Sequence, residues 1–544
     1  MASTKPWDDL PAELQLMLLN AFIQNGNTLS HLATVSREWQ TVVEPHNFDR
    51  LKLSPSCLTD FASKTRRNRH LVGYIWFCIE LEEYDNGLNM PRPQILSILE
   101  TNLVASALRD MFLNLSTWTP TPTDKLVLDI SIYSPSDFEH GFKDLTFRPD
   151  ILNQRSLRRR LSPVLLKIFD QKSTYIQAIN GERSRLYPNI KGTFGFIGRH
   201  GIFDDWESQT SWWQRLPSVP AVTGIFLRQQ TRRQWSPSTL AQMFTRLPRL
   251  QEIYYEPWRD WVPENPLITN AEFEAFFTSL ASKDLQKLVV FENFHSSVPI
   301  IDPGLGHICA LIRAASRMAA ETSLKLEHFS GSFLIDASEF FASCKSSWTW
   351  SKLRSLTVTS QKLTAGEDQP AISEMLRIAA AAAMNMSRLD TLEIWNGKSK
   401  SATLFKYQSN RGQTYAALTW RSTWGFVIEP SVILAWMSVA YKHGARGLTS
   451  CTELLDVRDK VKFHGDAIRY LQLSQPVARP VSLTQIRVEQ VIHDQWNDWQ
   501  KKRRKEFLDN MIRGADPDNR EHQQVLADLR ARFRDDEEEE GEGN

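Results

Sequence analysis

Apolar residues recur along the chain with the spacing apolar-x-x-apolar-x-apolar, which predicts short strands that bury alternate positions. Copies of this pattern begin at Phe48, Val72, Val127, Val222, Leu250, Leu285, Leu353, Leu389 and Tyr415. Weaker copies lie around 324–326 and at 468–473. From Val222 onward the copies follow one another at roughly 26 to 36 residues, with one double interval, as in proteins built from stacked repeats.

Helical patterns fill the intervals between the later strands. Amphipathic segments run over 237–247, 270–281, 306–320, 371–386 and 430–441. A unit of strand, helix and return buries its apolar face only by stacking on its neighbours. The units resemble leucine-rich repeats that have diverged and lost the Asn ladder. That resemblance implies an irregular α/β solenoid over 222–480, preceded by irregular early repeats with long loops over 49–221. The alternative is an ordinary α/β domain whose strands share one pattern.

The N-terminal segment 7–48 predicts two helical stretches. Pro11 opens the first, because proline at the first helical position gives up an amide that would be unpaired anyway. Two apolar stripes follow, formed by Leu14, Leu18 and Phe22, and by Leu16, Leu19 and Ile23. Asn25-Gly26 ends this helix, Thr28 caps the next, and Pro45 ends that one. A helix with two apolar stripes has to be covered on two sides, either by the following domain or by another protein.

The order of residues in this segment resembles an F-box. The shared features are Leu-Pro-x-Glu at 10–13, a hydrophobic run, and a Val-Ser-Arg close that ends on a tryptophan. Asn25-Gly26-Asn27 stands where the family more often has Leu-Pro-x-x-Asp, and Ser36 stands where cysteine is commoner. The resemblance implies a three-helix domain over 1–48 that binds a Skp-family subunit. The contact residues implied are Leu10, Pro11, Glu13, Leu14, Leu18, Val35 and Trp39.

Composition is that of a globular protein without a membrane span. Of the 544 residues, 42% are hydrophobic and 23% charged, and no apolar run approaches the length of a transmembrane helix. Five widely separated cysteines fit a reducing compartment rather than a disulfide framework or a zinc cluster. We therefore predict a cytoplasmic or nuclear location, or both.

Charge is concentrated at the C-terminal end. Residues 481–534 predict helices that carry the basic run 501–505, which is either a nuclear import signal or the wet face of a long helix. The tail 535–544 holds seven acidic residues and predicts disorder. The rest of the chain is mildly basic, which leaves open a nucleic-acid surface around the arginines of 155–160.

Motifs for catalysis, cofactors and metals are lacking in the sequence. Gly397-Lys398-Ser399 resembles part of a phosphate loop, but Leu392 stands where that loop needs glycine. Gly192, Gly195 and Gly198 have the wrong spacing for a dinucleotide turn, and the histidines lack ligand spacing. We predict a non-enzymatic chain with no cofactor and no metal, although a catalytic triad assembled from distant residues leaves no such signal.

A target-binding face is predicted from strand alternation. Residues that flank the buried positions of the repeats face the concave side of such an array. The candidates are Phe226, Arg228, Tyr254, Glu256, Phe291, Trp395 and Arg421. Aromatic residues and arginine dominate protein-protein hot spots, although such side chains also pack under helices or loops.

The chain as a whole resembles F-box proteins with a repeat domain of the type found in filamentous fungi. The resemblance implies an α/β adaptor of a Skp–cullin–F-box ubiquitin ligase. Its partners would be the Skp-family linker, through it a cullin, and an unknown target protein. Two other hypotheses remain: an F-box scaffold that acts outside ubiquitination, and, ranked last, a nucleic-acid-associated protein.

Overall fold

A computed structural model describes most of the chain, with gaps. The described residues are 7, 10–24, 31–83, 98–121, 123–135, 196–197, 206–231, 233–258, 266–294, 305–409 and 414–487, with isolated positions beyond. Several predictions fall on residues outside these ranges: the helix end at Asn25-Gly26, the cap at Thr28, the basic surface at 155–160 and the disorder of 535–544. Most of the basic run 501–505 lies outside them as well.

Helices and strands alternate through most of the described chain. The α-helices are α1 Ala12–Gln24, α2 Arg37–Asp49, α3 Leu58–Thr65, α4 Ile98–Ser116, α5 Trp206–Arg215, α6 Pro237–Thr245, α7 Pro266–Leu280, α8 Leu305–Ser323, α9 Ala337–Ala342, α10 Gln369–Ala383, α11 Pro430–Lys442 and α12 His464–Leu471. The strands are β1 Arg50–Leu53, β2 Tyr74–Glu80, β3 Leu126–Tyr133, β4 Phe196–Ile197, β5 Val222–Leu227, β6 Gln234–Trp235, β7 Glu252–Tyr255, β8 Lys287–Phe291, β9 His328–Asp336, β10 Ser355–Thr359, β11 Thr391–Lys398, β12 Ser401–Gln408, β13 Ala416–Ser422 and β14 Leu448–Leu454.

Twelve of these strands form one open sheet whose spatial order follows the chain. The order is β1-β2-β3-β5-β7-β8-β9-β10-β11-β12-β13-β14, while β4 and β6 form a separate pair. Neighbours from β1 to β7 pair in parallel, as do β9, β10 and β11. The three strands β11, β12 and β13 pair antiparallel, and β14 is parallel to β13. The α/β class and the strands at all nine full copies of the pattern are thereby confirmed.

The chain divides into two compact units. The first contains the described residues of Met1–Lys143, Ile179–Pro257 and Ala271–Leu288. Its core joins the wholly buried side chains of β2 and β3, among them Ile75 and Ile130, to α4, where Leu108 and Met111 are buried. A ring pair between Phe112 of α4 and Trp213 of α5, 5.9 Å apart, adds the next helix.

The second unit contains the described residues of Trp258–Asn270 and Val289–Asn544. Helices cover one face of its sheet: Trp436 of α11 packs on Phe405 and Tyr407 of β12, with ring centroids 5.2 and 4.9 Å apart. The opposite face of β12, with Ala402 and Leu404, packs against residues from 461 to 486. The sheet around β12 is therefore enclosed between a helix on one side and the C-terminal segment on the other.

Two local predictions are wrong. Pro45 does not end its helix but lies inside α2, because burial of Val43 and a hydrogen bond from Gly73 N to the Asp49 carbonyl (3.0 Å) hold the helix on both sides of it. Residues 468–473 are not a strand: they belong to α12 and the turn after it, because Ala467 and Leu471 lie four apart on one buried helical face. The interval marked by the weak copy around 324–326 does contain a strand, β9, which begins at His328.

Candidate functional site

The N-terminal helices begin where local chemistry places them. Pro11 precedes α1, and its carbonyl accepts hydrogen bonds from the amides of Leu14 (2.9 Å) and Gln15 (3.0 Å). Ser36 caps α2 by accepting a hydrogen bond from the Trp39 amide at 3.3 Å. The Val-Ser-Arg sequence is therefore a helix start, and a short 3₁₀ turn, Leu32–Thr34, precedes it.

Two tryptophans hold the start of the segment against α2. The rings of Trp7 and Trp39 lie 4.8 Å apart, and Gln15 Nε2 donates a hydrogen bond to the Trp7 carbonyl at 2.8 Å. This contact fixes α1 relative to α2 through a residue that precedes both helices. Trp39, which the F-box resemblance assigns to the Skp contact, is thus half-buried inside the segment itself.

The outward side of α1 is apolar. Leu14, Met17 and Leu18 are 46%, 66% and 43% exposed, and they lie at i, i+3 and i+4, so they form one continuous row. Leu16 on the same helix is also exposed. Leu19, by contrast, is only 4% exposed and anchors the inward side. Of the two predicted stripes, the one with Leu14 and Leu18 therefore faces away from the described body of the chain.

The remaining predicted Skp-binding residues differ in exposure. Val35, just before α2, is 60% exposed. Pro11 and Glu13 are exposed, and Leu10 is half-buried. We call the exposed row Leu14, Met17 and Leu18 the N-terminal apolar surface; Leu16 and Val35 are exposed as well, outside this row. Met17 and Leu16 were not among the predicted contact residues, because the F-box pattern does not mark them.

The predicted target-binding residues of the first unit are not on a surface. Phe226, Arg228, Tyr254 and Glu256 are all buried. The ring of Phe226 lies 5.0 Å from that of Tyr254. Arg228 Nε lies 2.7 Å from Asp129 Oδ2, and neither side chain is exposed. The prediction that these four side chains meet a target is wrong, since each already packs within its own unit.

The predicted residues of the second unit are mostly covered as well. Phe291 and Trp395 are fully buried in a cluster with Phe463, Ala467 and Leu471. Arg421 alone of the seven candidates stays partly exposed, while its Nε binds Glu453 at 2.6 Å and its NH1 donates to the Leu471 carbonyl at 2.8 Å. The predicted concave side of the sheet, which carries Phe291 and Trp395, is thus covered by the C-terminal segment of the same chain.

We call residues 461–486 the C-terminal cover, and two kinds of contact hold it down. Gly397 of β11 allows close approach, because a Cβ at this position would lie 2.2 Å from the Ala467 Cβ. Glu393, fully buried, accepts hydrogen bonds from the Ser474 amide (2.9 Å) and hydroxyl (2.7 Å). A glycine within a strand often marks a close approach by another part of the chain. Gly397 was therefore the signal in the sequence from which the cover could have been predicted.

The glycine-lysine-serine run at 397–399 is part of a hairpin. It ends β11 and turns into β12, with Lys400 at a φ of +57° and its amide donating to the Val461 carbonyl at 2.7 Å. A strand-to-strand turn lacks the helix N-terminus on which a phosphate loop depends. The geometry at 397–399 therefore differs from that of a phosphate loop. Gly192, Gly195 and Gly198 lie outside the described residues.

The described part of the chain contains neither a metal site nor a membrane-spanning helix. No group of three His, Cys, Asp or Glu side chains there is arranged to hold a metal ion. None of the described helices combines the length and the apolar character needed to cross a bilayer.

A family model matches part of the chain. No curated protein matches the chain. Residues 280–479, less than half of the chain, match a family described as "Family of unknown function (DUF6546)". The matched stretch contains β8 to β14, together with α12 of the C-terminal cover. The chain is thus similar, over the sheet of the second unit, to a family whose description names no activity.

Proposed function

We propose that this protein is a non-catalytic substrate-recognition adaptor of a Skp–cullin–F-box ubiquitin ligase. Its N-terminal helices would bind the Skp-family subunit, and through it a cullin, while the α/β body would hold a target protein. The observation that carries the proposal is the N-terminal apolar surface, which coincides with the segment whose residue order resembles an F-box. A compartment follows from the role: such a ligase works in the cytoplasm or the nucleus.

The contiguous exposed apolar row on α1 is unusual for a protein surface that binds no partner. Isolated exposed leucines are common in proteins, but contiguous apolar patches mark binding sites. Leu14, Met17 and Leu18 are about half exposed, so covering each contributes on the order of 1 kcal/mol, given about 1.5–3 kcal/mol for complete burial. Apolar anchors at i, i+3 and i+4 are the pattern with which a helix occupies a partner's groove.

The architecture of the body supports a repeat array. Consecutive strands are neighbours in the sheet from β7 through β14, and a helix separates most of them, which is the connectivity of a stacked strand-helix unit. The antiparallel hairpin of β11 and β12 departs from that unit. We infer a diverged leucine-rich-repeat-like solenoid with one inserted hairpin.

The target would bind a surface other than the buried strand positions. Arg421 and the outer side of the C-terminal cover border the predicted face and are accessible in part. The physical role is tethering: two binding modules on one chain raise the concentration of the target near the conjugating enzyme, without chemistry in this chain.

Co-purification tests the Skp contact. The full chain, co-expressed with a Skp-family protein, should retain it, and Leu14→Asp combined with Leu18→Asp should abolish retention, because two charges would enter an apolar interface. The matched control is Leu99→Asp with Leu113→Asp, two exposed leucines (72% and 49%) on α4.

Both double variants should melt within a few degrees of the wild type, since all four leucines are surface residues. The proposal fails if the α1 variant retains the Skp-family protein as well as the wild type does. It also fails if the α4 control loses the Skp-family protein to the same extent.

A further inference from the structure

Among the described residues, no strand pairs with the outer edge of β14, the strand at the end of the sheet in the second unit. β14 pairs with β13 on one side and is the last strand of the sheet order. Its sequence is Leu-Thr-Ser-Cys-Thr-Glu-Leu, without lysine, arginine or proline. Natural edge strands are usually short, or carry lysine, proline or a bulge, because a free edge pairs with other strands.

β1, at the other end of the sheet order, has the features of a protected edge strand. β1 has four residues, Arg-Leu-Lys-Leu, and two of them are cations. β14 has seven residues and a regular register along its whole length, and most of them are exposed. The difference in length and charge between β1 and β14 indicates that the outer edge of β14 pairs with another strand.

The ladder defines which backbone groups are available. Ala416 N donates to the Gly447 carbonyl (2.9 Å), and Leu455 N donates to the Ser422 carbonyl (2.7 Å). In a parallel ladder alternate residues bond the neighbour, so the odd-numbered residues of β14 bond β13. The outward-facing amides and carbonyls are those of Leu448, Ser450, Thr452 and Leu454.

We propose that the outer edge of β14 binds the same edge of a second copy of this chain, by antiparallel pairing about a two-fold axis at Cys451. This register uses all four outward residues, pairs each Leu448 with the Leu454 of the other copy, and forms about eight backbone hydrogen bonds. The same surface serves both copies, as a two-fold dimer requires.

Charge favours a second copy over an unrelated strand. Glu453 is the one charged residue of β14, and Arg421 Nε already holds it at 2.6 Å. In the proposed register Glu453 lies opposite Thr449 of the other copy, so no like charges meet, and like charges opposite each other destabilise a strand pair. The symmetric copy therefore meets no electrostatic barrier.

The register places the two Cys451 side chains opposite each other in a non-hydrogen-bonded pair. The Cα atoms of such a pair lie about 4.5 Å apart, which is within the about 4.4–6.8 Å range of disulfides. Cys451 is exposed, as are Cys57 and Cys309 elsewhere on the chain. Disulfide trapping can thus report the register, with the other two cysteines as internal controls.

Sedimentation velocity and mild oxidation of the full chain test the proposal. We expect a dimer within the range up to about 100 µM and at least a tenfold weaker dimer for Thr452→Lys, which places a cation on the edge. Thr452→Pro, which removes one outward amide and no bond to β13, should weaken it likewise. Oxidation should give a cross-linked dimer that C451S abolishes and that C57S and C309S retain.

Four results would overturn the proposal. One is a monomer throughout the concentration range that gives no Cys451 cross-link. Another is a dimer that both Thr452 variants leave unchanged. The third is a cross-link that runs through Cys57 or Cys309. A monomer whose β14 edge instead captures an extended peptide of another protein also counts against a second copy as the occupant. Circular dichroism of each variant confirms that it is folded.

Discussion

At the residue scale, small side chains decide how closely the C-terminal cover approaches the sheet. A Cβ at Gly397 in β11 would lie 2.2 Å from the Ala467 Cβ of the cover. Within the cover, a Cβ at Gly465 in α12 would lie 2.5 Å from the Ile486 side chain. A β-strand glycine usually weakens a strand, so its presence in β11 indicates that close packing outweighs the loss. The polar counterpart is Glu393, whose burial is offset by its hydrogen bonds to Ser474.

Gly397→Ala should therefore destabilise the second unit. The added methyl group would overlap the Ala467 Cβ, and overpacking of this kind costs about 1–3 kcal/mol of the free energy of unfolding. Chemical denaturation monitored by tryptophan fluorescence measures the change, since Trp395 lies beneath the cover. Gly366→Ala is the matched control, because a Cβ there meets nothing within 4 Å and its unfolding free energy should stay within about 0.5 kcal/mol. Equal stability of the two variants would contradict the close approach.

His443, at the end of α11, couples stability to pH. Its Nε2 lies 3.2 Å from the Ala383 carbonyl, which only accepts, so Nε2 carries the proton and Nδ1 accepts from the Tyr407 hydroxyl at 3.3 Å. Burial lowers the pKa of His443 below its ordinary value of 6.5, because the charged imidazolium is poorly solvated there. The unfolded chain thus binds the proton more readily than the folded one.

The sign of the pH effect follows from that difference. The stability is complete above pH 6.5 and is lost progressively as the pH falls from 6.5 to the lowered pKa of the folded state. We expect the unfolding free energy of the wild type to decrease between about pH 7 and 5 more steeply than that of His443→Gln, which keeps a donor but does not titrate. Parallel pH profiles for the two proteins would show that His443 is not the group responsible.

At the element scale, tertiary contacts keep α2 helical in spite of Pro45. Proline inside a helix removes one hydrogen bond to the preceding turn and crowds the carbonyl of Thr41. The helix continues because Val43 is buried and Glu44 is bound by Arg67, while the chain passes directly into β1. Local sequence preference predicted an end at this position, and packing of the helix on its neighbours prevailed.

Pro45→Ala should stabilise the first unit. Alanine restores the missing amide and relieves the crowding, so we expect a gain of about 1–3 kcal/mol in the free energy of unfolding. Thermal melts followed by circular dichroism measure the gain. Pro11→Ala is the control: Pro11 stands just before α1, where its amide has no helical acceptor, so little gain is expected. A loss of stability in Pro45→Ala would mean that the ring itself contributes packing that the helix needs.

At the scale of the whole molecule, the repeated apolar spacing predicted the class of fold well. Each full copy of the pattern corresponds to a strand, and the five predicted amphipathic segments correspond to α6, α7, α8, α10 and α11. The period was readable because a strand buried on one side by its helix repeats the same apolar positions in each unit. The predicted domain boundaries at 48, 221, 480 and 534 stay predictions.

Other parts of the molecule could not be read from spacing. The strand β14 is mostly polar and exposed, so it lacks the apolar pattern of a buried strand. The fate of Phe291 and Trp395 depended on the C-terminal cover, which is separated from them by many residues in sequence. Strand alternation identifies which side chains share a face of the sheet, but only long-range packing decides whether that face is open. The predicted target-binding residues failed for this reason.

Oxidative footprinting of methionines shows whether the row on α1 binds another protein. The full chain is compared with and without a Skp-family protein. Met17 is 66% exposed, whereas Met111, Met243 and Met375 are buried and serve as internal references. We predict that Met17 is oxidised rapidly in the free chain and at least tenfold more slowly in the complex. The oxidation rates of the three buried methionines should stay the same. A stable complex in which Met17 stays as reactive as in the free chain, or the absence of any complex, would contradict it.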